Sequence, residues 1–141
     1  MSNIDVRKDF YEFGKNMQIV AICTVLTLVT GVTGLIALIF TFIALGNIKN
    51  ANLKLNNDYL EKFRSKYVKA FILRMCGVIA IIIGVFSLVF FIFYPYYLGS
   101  FWIIVSISVI FILTGLIFGI TSLVAEMKAW ENLKRFFEEN R

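Results

Sequence analysis

Charged side chains fall in three clusters along this chain and leave two long stretches without any. None occurs from residue 16 to 48, and none from 75 to 125. A helix that crosses a bilayer uses about 20 apolar residues, at 1.5 Å each, to traverse roughly 30 Å of hydrocarbon. The second stretch holds two such helices. Its middle, Tyr94-Pro95-Tyr96-Tyr97-Leu98-Gly99-Ser100, combines helix breakers with tyrosines suited to a membrane–water interface. The pattern predicts one helix over about 69–94 and another over about 101–125.

The first stretch is open to two readings. A single helix over 16–48 would be roughly 50 Å long and would have to tilt or protrude. Two helices, over about 10–30 and 33–50, become long enough when Phe10, Tyr11 and Phe13 sit in the interface and Lys15 snorkels. The glycine pair in Thr30-Gly31-Val32-Thr33-Gly34 offers a turn between them. Basic residues weigh toward the second reading. Arg7, Lys8 and Lys15 precede the first stretch, Lys49, Lys54, Lys62, Arg64, Lys66, Lys69 and Arg74 separate the two, and Lys128, Lys134, Arg135 and Arg141 follow the second. Such residues stay on the cytoplasmic side. A hairpin in the first stretch puts every one of them on a single face, whereas a long single helix strands three outside. The expected fold is therefore all-α and polytopic, a single membrane domain of four transmembrane helices in two hairpins. Three spans with a long first helix are the alternative. The first apolar run is longer than a signal-peptide core and ends in no small-x-small site, so no cleavable leader is expected.

The polar segments have patterns of their own. Residues 47–69 are expected to form a basic cytoplasmic loop, with Asp58 and Glu61 in a capping-box-like relation at a helix start. From there Tyr59, Phe63, Tyr67 and Ala70 share one helical face, expected to rest on the bilayer. Lys62, Lys66 and Lys69 share another, which with Arg74 is suited to anionic lipid headgroups or a partner. Residues 126–139 are expected to form a cytoplasmic helix with Met127, Trp130, Leu133 and Phe137 on one side, and with Glu131–Arg135, Lys134–Glu138 and Arg135–Glu139 at ion-pair spacing. A short echo links the two halves: Thr33-Gly34-Leu35-Ile36 recurs as Thr114-Gly115-Leu116-Ile117, and Asn52-Leu53-Lys54 as Asn132-Leu133-Lys134.

Composition narrows the function. The 141 residues are 60% hydrophobic and 16% charged, against roughly 45–50% and about 25% for soluble domains, and the mean hydropathy is +0.83. A soluble chain of this size cannot hide so much apolar surface. The net charge of +5 belongs to the middle segment, since the acids and bases of the two terminal segments balance. There is no histidine, and Cys23 and Cys76 lie alone within apolar runs. Phosphate-binding loops, nucleophile elbows and metal-ligand spacings are absent. No acid falls within an apolar core, which argues against a coupled transporter. No catalytic residue, cofactor, metal site or nucleic-acid partner is expected.

Small residues recur at helical spacing. Thr24, Thr27 and Gly31 do so in the first stretch, Gly77, Ala80, Gly84 and Ser87 in the third helix, and Ser108, Gly115, Gly119 and Ser122 in the fourth. Gly115-x-x-x-Gly119 is a spacing that lets helix backbones approach closely in lipid. Gly31, Gly77, Gly84, Gly115 and Gly119 are the expected packing positions. The expected function is non-enzymatic association of helices, in an accessory or scaffold subunit of a membrane assembly or in a homo-oligomer of the cell membrane. The alternative is a small oligomeric channel lined by Thr24, Thr27 and Thr30, or by Ser106 and Ser108.

Overall fold

The computed structural model describes residues 3–30, 33–93 and 101–141. Gly31, the side chain of Thr30 and the Tyr94–Ser100 turn lie outside the described residues, as do the other side chains of residues 3, 4 and 28–30. The described chain is four helices: α1 (Asn3–Thr30), α2 (Thr33–Leu55), α3 (Asp58–Phe93) and α4 (Phe101–Glu139). The first uncharged stretch is thus divided between two helices, with Thr30 ending one and Thr33 opening the next. By length and composition α2, α3 and α4 are each able to cross a membrane. In α1 the charges at Asp5, Arg7, Lys8, Asp9, Glu12 and Lys15 leave an uncharged run of only 16–30, roughly 22 Å of helix.

Each helix extends past its apolar run into the polar segment. The expected basic loop over 47–69 is helical except at Asn56 and Asn57, and the amphipathic segments expected to lead into the third helix and to continue the fourth are continuous with α3 and α4. No glycine or proline interrupts 47–76 or 120–141, so helix is favoured through both segments apart from that one break. Three asparagines make the connection. Asn56 takes a left-handed conformation (φ 47°) and ends α2, its N–H donating to the Asn52 carbonyl at 2.7 Å. Asparagine tolerates this region better than most residues. The Asn57 N–H donates to Asn52 Oδ1 at 3.0 Å, and Asn57 Oδ1 accepts from the Tyr59 N–H at 2.9 Å. Asn57 is therefore the N-cap of α3, correcting the assignment to Asp58. Asp58 and Glu61 instead lie in the first turn, where carboxylates complement the helix dipole.

The chain divides into two compact units. The first holds Met1–Arg64 and Asn132–Arg141. In it α1 and α2 run antiparallel: Asp9 and Lys54 pair at 2.7 Å near the polar end, and Thr27 and Thr33 hydroxyls meet at 3.1 Å near the other. Ala37, Ala44 and Ala51 are buried at seven-residue intervals along α2, with Thr41, Leu45 and Ile48 beside them. The same unit has an aromatic core. Phe10 stacks on Phe136 at 5.5 Å and lies 5.4 Å from Phe137, and Phe13 meets Phe63 edge-on at 5.8 Å. Leu60, Phe63, Leu133 and Phe136 are all buried.

The apolar face of α3 expected to rest on the bilayer is therefore partly interior, and so is part of the apolar side of the last helix. Phe63, Tyr67 and Ala70 are buried. On the last helix only Leu133 of the expected stripe is buried. The packed face is Ala129, Asn132, Leu133 and Phe136, and Met127 and Phe137 point outward. Of the expected ion pairs there, Lys134–Glu138 closes at 3.6 Å. The second unit, Ser65–Glu131, consists of the remainders of α3 and α4 and contains the small-residue contact described next.

Candidate functional site

The α3–α4 contact in the second unit is built on one rule, a small residue at every seventh position of both helices. Ala70, Gly77 and Gly84 supply α3, followed by Phe91; Ser122, Gly115 and Ser108 supply α4, preceded by Phe101. The pairs meet in antiparallel order. Ser122 Oγ donates to the Ala70 carbonyl at 2.7 Å. A Cβ added at Gly77 would lie 2.9 Å from the Gly115 carbonyl oxygen, and one at Gly84 would lie 2.9 Å from that of Ser108. Phe91 and Phe101 close the series, with centroids 5.1 Å apart. A strict seven-residue repeat keeps one seam facing its partner along two helices. Small side chains on both sides let the backbones approach closely, which is how helices gain dispersion contacts in a solvent as apolar as themselves.

The structure sorts the expected packing glycines. Gly77, Gly84 and Gly115 line this seam. Gly119 does not: nothing lies within 4 Å of a Cβ built there. One turn separates Gly115 from Gly119, but seven-residue spacing selects Ser108, Gly115 and Ser122 and leaves Gly119 beside the seam. Ala70 and Ser122 complete it, and the seven-residue interval running on from the glycines was the signal for them. Ser108 is fully buried, and its hydroxyl has no hydrogen-bond partner among the described residues.

Three of the hydroxyls expected to line a pore bond to the preceding turn of their own helix. Thr24 donates to the Val20 carbonyl, Thr27 to that of Cys23 and Ser106 to that of Trp102, at 2.7–2.8 Å. Such bonds to the preceding turn are how hydroxyls are accommodated in apolar helices. The echo between halves has unequal settings: Thr33 opens α2, whereas Thr114 is more than three turns into α4.

Among the expected basic contacts, Arg74 has an internal partner. Its guanidinium pairs with the Glu126 carboxylate across the second unit, three residues along α3 from the Gly77 contact. Arg74, expected to meet anionic lipid or a partner, thus has a carboxylate of its own chain beside it. Glu126 was missed because the two residues are far apart in sequence, and only the folding of the hairpin brings them together. Lys62 lies 3.9 Å from Asp58 and 5.8 Å from the Tyr59 ring centroid. Lys66 and Lys69, one turn apart on α3, have no carboxylate partner among the described residues. In the first unit the Tyr59 hydroxyl donates to Glu139 at 2.9 Å, and that bond and the carboxylate's charge raise the phenol's pKa above its ordinary value. No group of three His, Cys, Asp or Glu side chains that could hold a metal occurs among the described residues.

No protein-family model matches the chain, and no significant match to it was found among curated proteins or solved structures.

Proposed function

We propose that this chain is a four-span protein of the cell membrane that acts without catalysis, through association of its helices, as an accessory or scaffold subunit or as a homo-oligomer. The observation that carries the reading is the apolar surface left uncovered. In the most apolar window of α4 only 11% of residues are buried inside the protein, and Phe86, Ile92, Ile110, Ile117 and Ile120 are among the large side chains left exposed. Contiguous apolar surface on this scale is covered by lipid or by other proteins.

An even number of spans is supported by the first unit. Phe10, near the start of α1, packs on Phe136 and Phe137, near the end of α4, so the two ends of the chain share one side. The distribution of Lys and Arg makes that side the cytoplasm. Single cysteines placed at Ser2 and at Asn140 in a Cys23→Ala/Cys76→Ala background are expected to react with an impermeant maleimide only from the cytoplasmic side. Labelling of the two positions from opposite sides overturns the four-span reading.

Association is supported by what the seam leaves over. Gly77, Gly84 and Gly115 are consumed inside the α3–α4 hairpin, whereas Gly119 is open on a helix with exposed Leu116, Ile120 and Leu123 around it. Gly119→Leu is expected to reduce the assembled fraction seen by native mass spectrometry from membrane nanodiscs, with the monomer still folded. An identical mass distribution for the wild type and Gly119→Leu, with no partner lost, refutes association at this face. Headgroup contact on the basic face is proposed for Lys66 and Lys69, with Lys62 as a weaker contributor because of Asp58.

A further inference from the structure

The first hairpin has two basic residues that sequence spacing did not mark as a site. Lys15 on α1 and Lys49 on α2 are both exposed, and neither has a carboxylate partner among the described residues. Their neighbours on the same helices are engaged. Lys54 pairs with Asp9 at 2.7 Å, and Lys8 approaches Glu12 at 4.0 Å. No acid occurs anywhere in α2. The Asp9–Lys54 and Thr27–Thr33 contacts fix the antiparallel register and bring Lys15 and Lys49 to the same level of the hairpin, within about one helical turn.

What surrounds them identifies the ligand. At spacings of four and seven, Tyr11, Lys15 and Ile22 fall on one face of α1; Leu53, Lys49 and Phe42 do so on α2. The order is the same on both helices: an exposed apolar group, the lysine, then exposed apolar side chains. Tyr11 is 72% and Leu53 75% exposed on the polar side of the lysines, while Ile22 and Phe42 are more than half exposed on the other. A cation meant to meet water or a soluble anion has no reason to lie between two apolar bands. One meant to meet a phosphate at the edge of a hydrocarbon layer does. We propose that Lys15 and Lys49 bind the phosphodiester of anionic phospholipids at the base of the α1–α2 hairpin. The proposal rests on the membrane reading above and adds a second location, on the α1–α2 hairpin, which that reading does not contain.

The test uses the full chain in detergent, titrated with phosphatidylglycerol or phosphatidylcholine and read by native mass spectrometry. The wild type is expected to retain phosphatidylglycerol preferentially. Lys15→Gln/Lys49→Gln is expected to lose that preference by about fivefold per lysine, whereas Lys8→Gln/Lys134→Gln, with the same loss of charge, keeps it. Equal retention of the two lipids by the wild type overturns the proposal, as does equal loss in the two double variants. Displacement of phosphatidylglycerol by millimolar glycerol 3-phosphate also overturns it, because the site would then recognise a free phosphate ester. Flotation with liposomes separates the two levels. A wild-type chain that fails to float refutes the membrane reading itself; one that floats without lipid preference refutes only the site.

Discussion

Gly115→Leu is expected to open the α3–α4 hairpin. A Cβ at this position would lie 2.7 Å from the Gly77 carbonyl oxygen and 2.5 Å from Ile81 Cγ1. The isoleucine can rotate away, but the carbonyl belongs to a helix backbone and moves only if the helices part. Overpacking a filled interior costs about 1–3 kcal/mol where side chains absorb it. A leucine wedged between two backbones should reach or exceed the upper end of that range. It would also separate the Ser122–Ala70 hydrogen bond and the Gly84–Ser108 contact, which depend on the same interhelical distance. Unfolding in mixed micelles titrated with sodium dodecyl sulfate reads the loss directly. Gly119→Leu is the matched comparison, since it adds the same side chain one turn away into open space and should leave the hairpin's unfolding midpoint nearly unchanged. Equal destabilisation by the two substitutions would mean that the seven-residue seam is not what holds the helices together.

The second large effect is expected at the polar end of the first unit. Phe63 is fully buried and meets Phe13 edge-on. Removing its ring leaves a cavity flanked by helices, and Phe→Ala changes in such settings cost about 3–5 kcal/mol. Phe63→Ala should therefore lower the thermal midpoint of the detergent-solubilised chain strongly and accelerate amide exchange over residues 58–64 and 132–139. Phe137→Ala tests the same aromatic cluster from its rim. Phe137 is half exposed, and truncating it should cost no more than about 1.5 kcal/mol, the scale of an aromatic pair beyond its buried area. Similar losses for the two would show that the aromatic end is held loosely instead of packed.

Much of this fold is written in the positions of charge. The two uncharged stretches locate the apolar helices, and the glycine pair near Val32 locates the division of the first stretch. What charge does not report is where a helix stops. The polar ends of α3 and α4 were legible as amphipathic, but an apolar stripe reads the same whether lipid or protein covers it. Only the packing of Phe13 on Phe63 and Phe10 on Phe136 shows that part of it is covered by the protein. The candidate packing residues were partly legible for a related reason. Small residues recur at three, four and seven along α4, and several faces can be drawn through such a set. Gly119 belongs to one of those faces and Ser122 to another. The α3 sequence narrows the choice, because Ala70, Gly77 and Gly84 repeat at seven, but Ala80 and Ser87 add the same three-and-four ambiguity there. The contacts at Ala70, Gly77 and Gly84 select Ser122, Gly115 and Ser108. Glu126 as the partner of Arg74 does not follow from that register, which sets Arg74 opposite Phe118; long side chains on both helices span the remaining turns.

The link between α2 and α3 is only Asn56 and Asn57, one of them locked in a left-handed turn. A basic loop would sample many shapes, and any ligand would have to freeze one of them. Charges carried on helices are already fixed: Lys62, Lys66 and Lys69 recur on one face of α3 at intervals set by the helix pitch. Whatever meets this face pays side-chain ordering but little backbone ordering. The cost is versatility, for a rigid array fits surfaces that match its spacing and cannot wrap around those that do not.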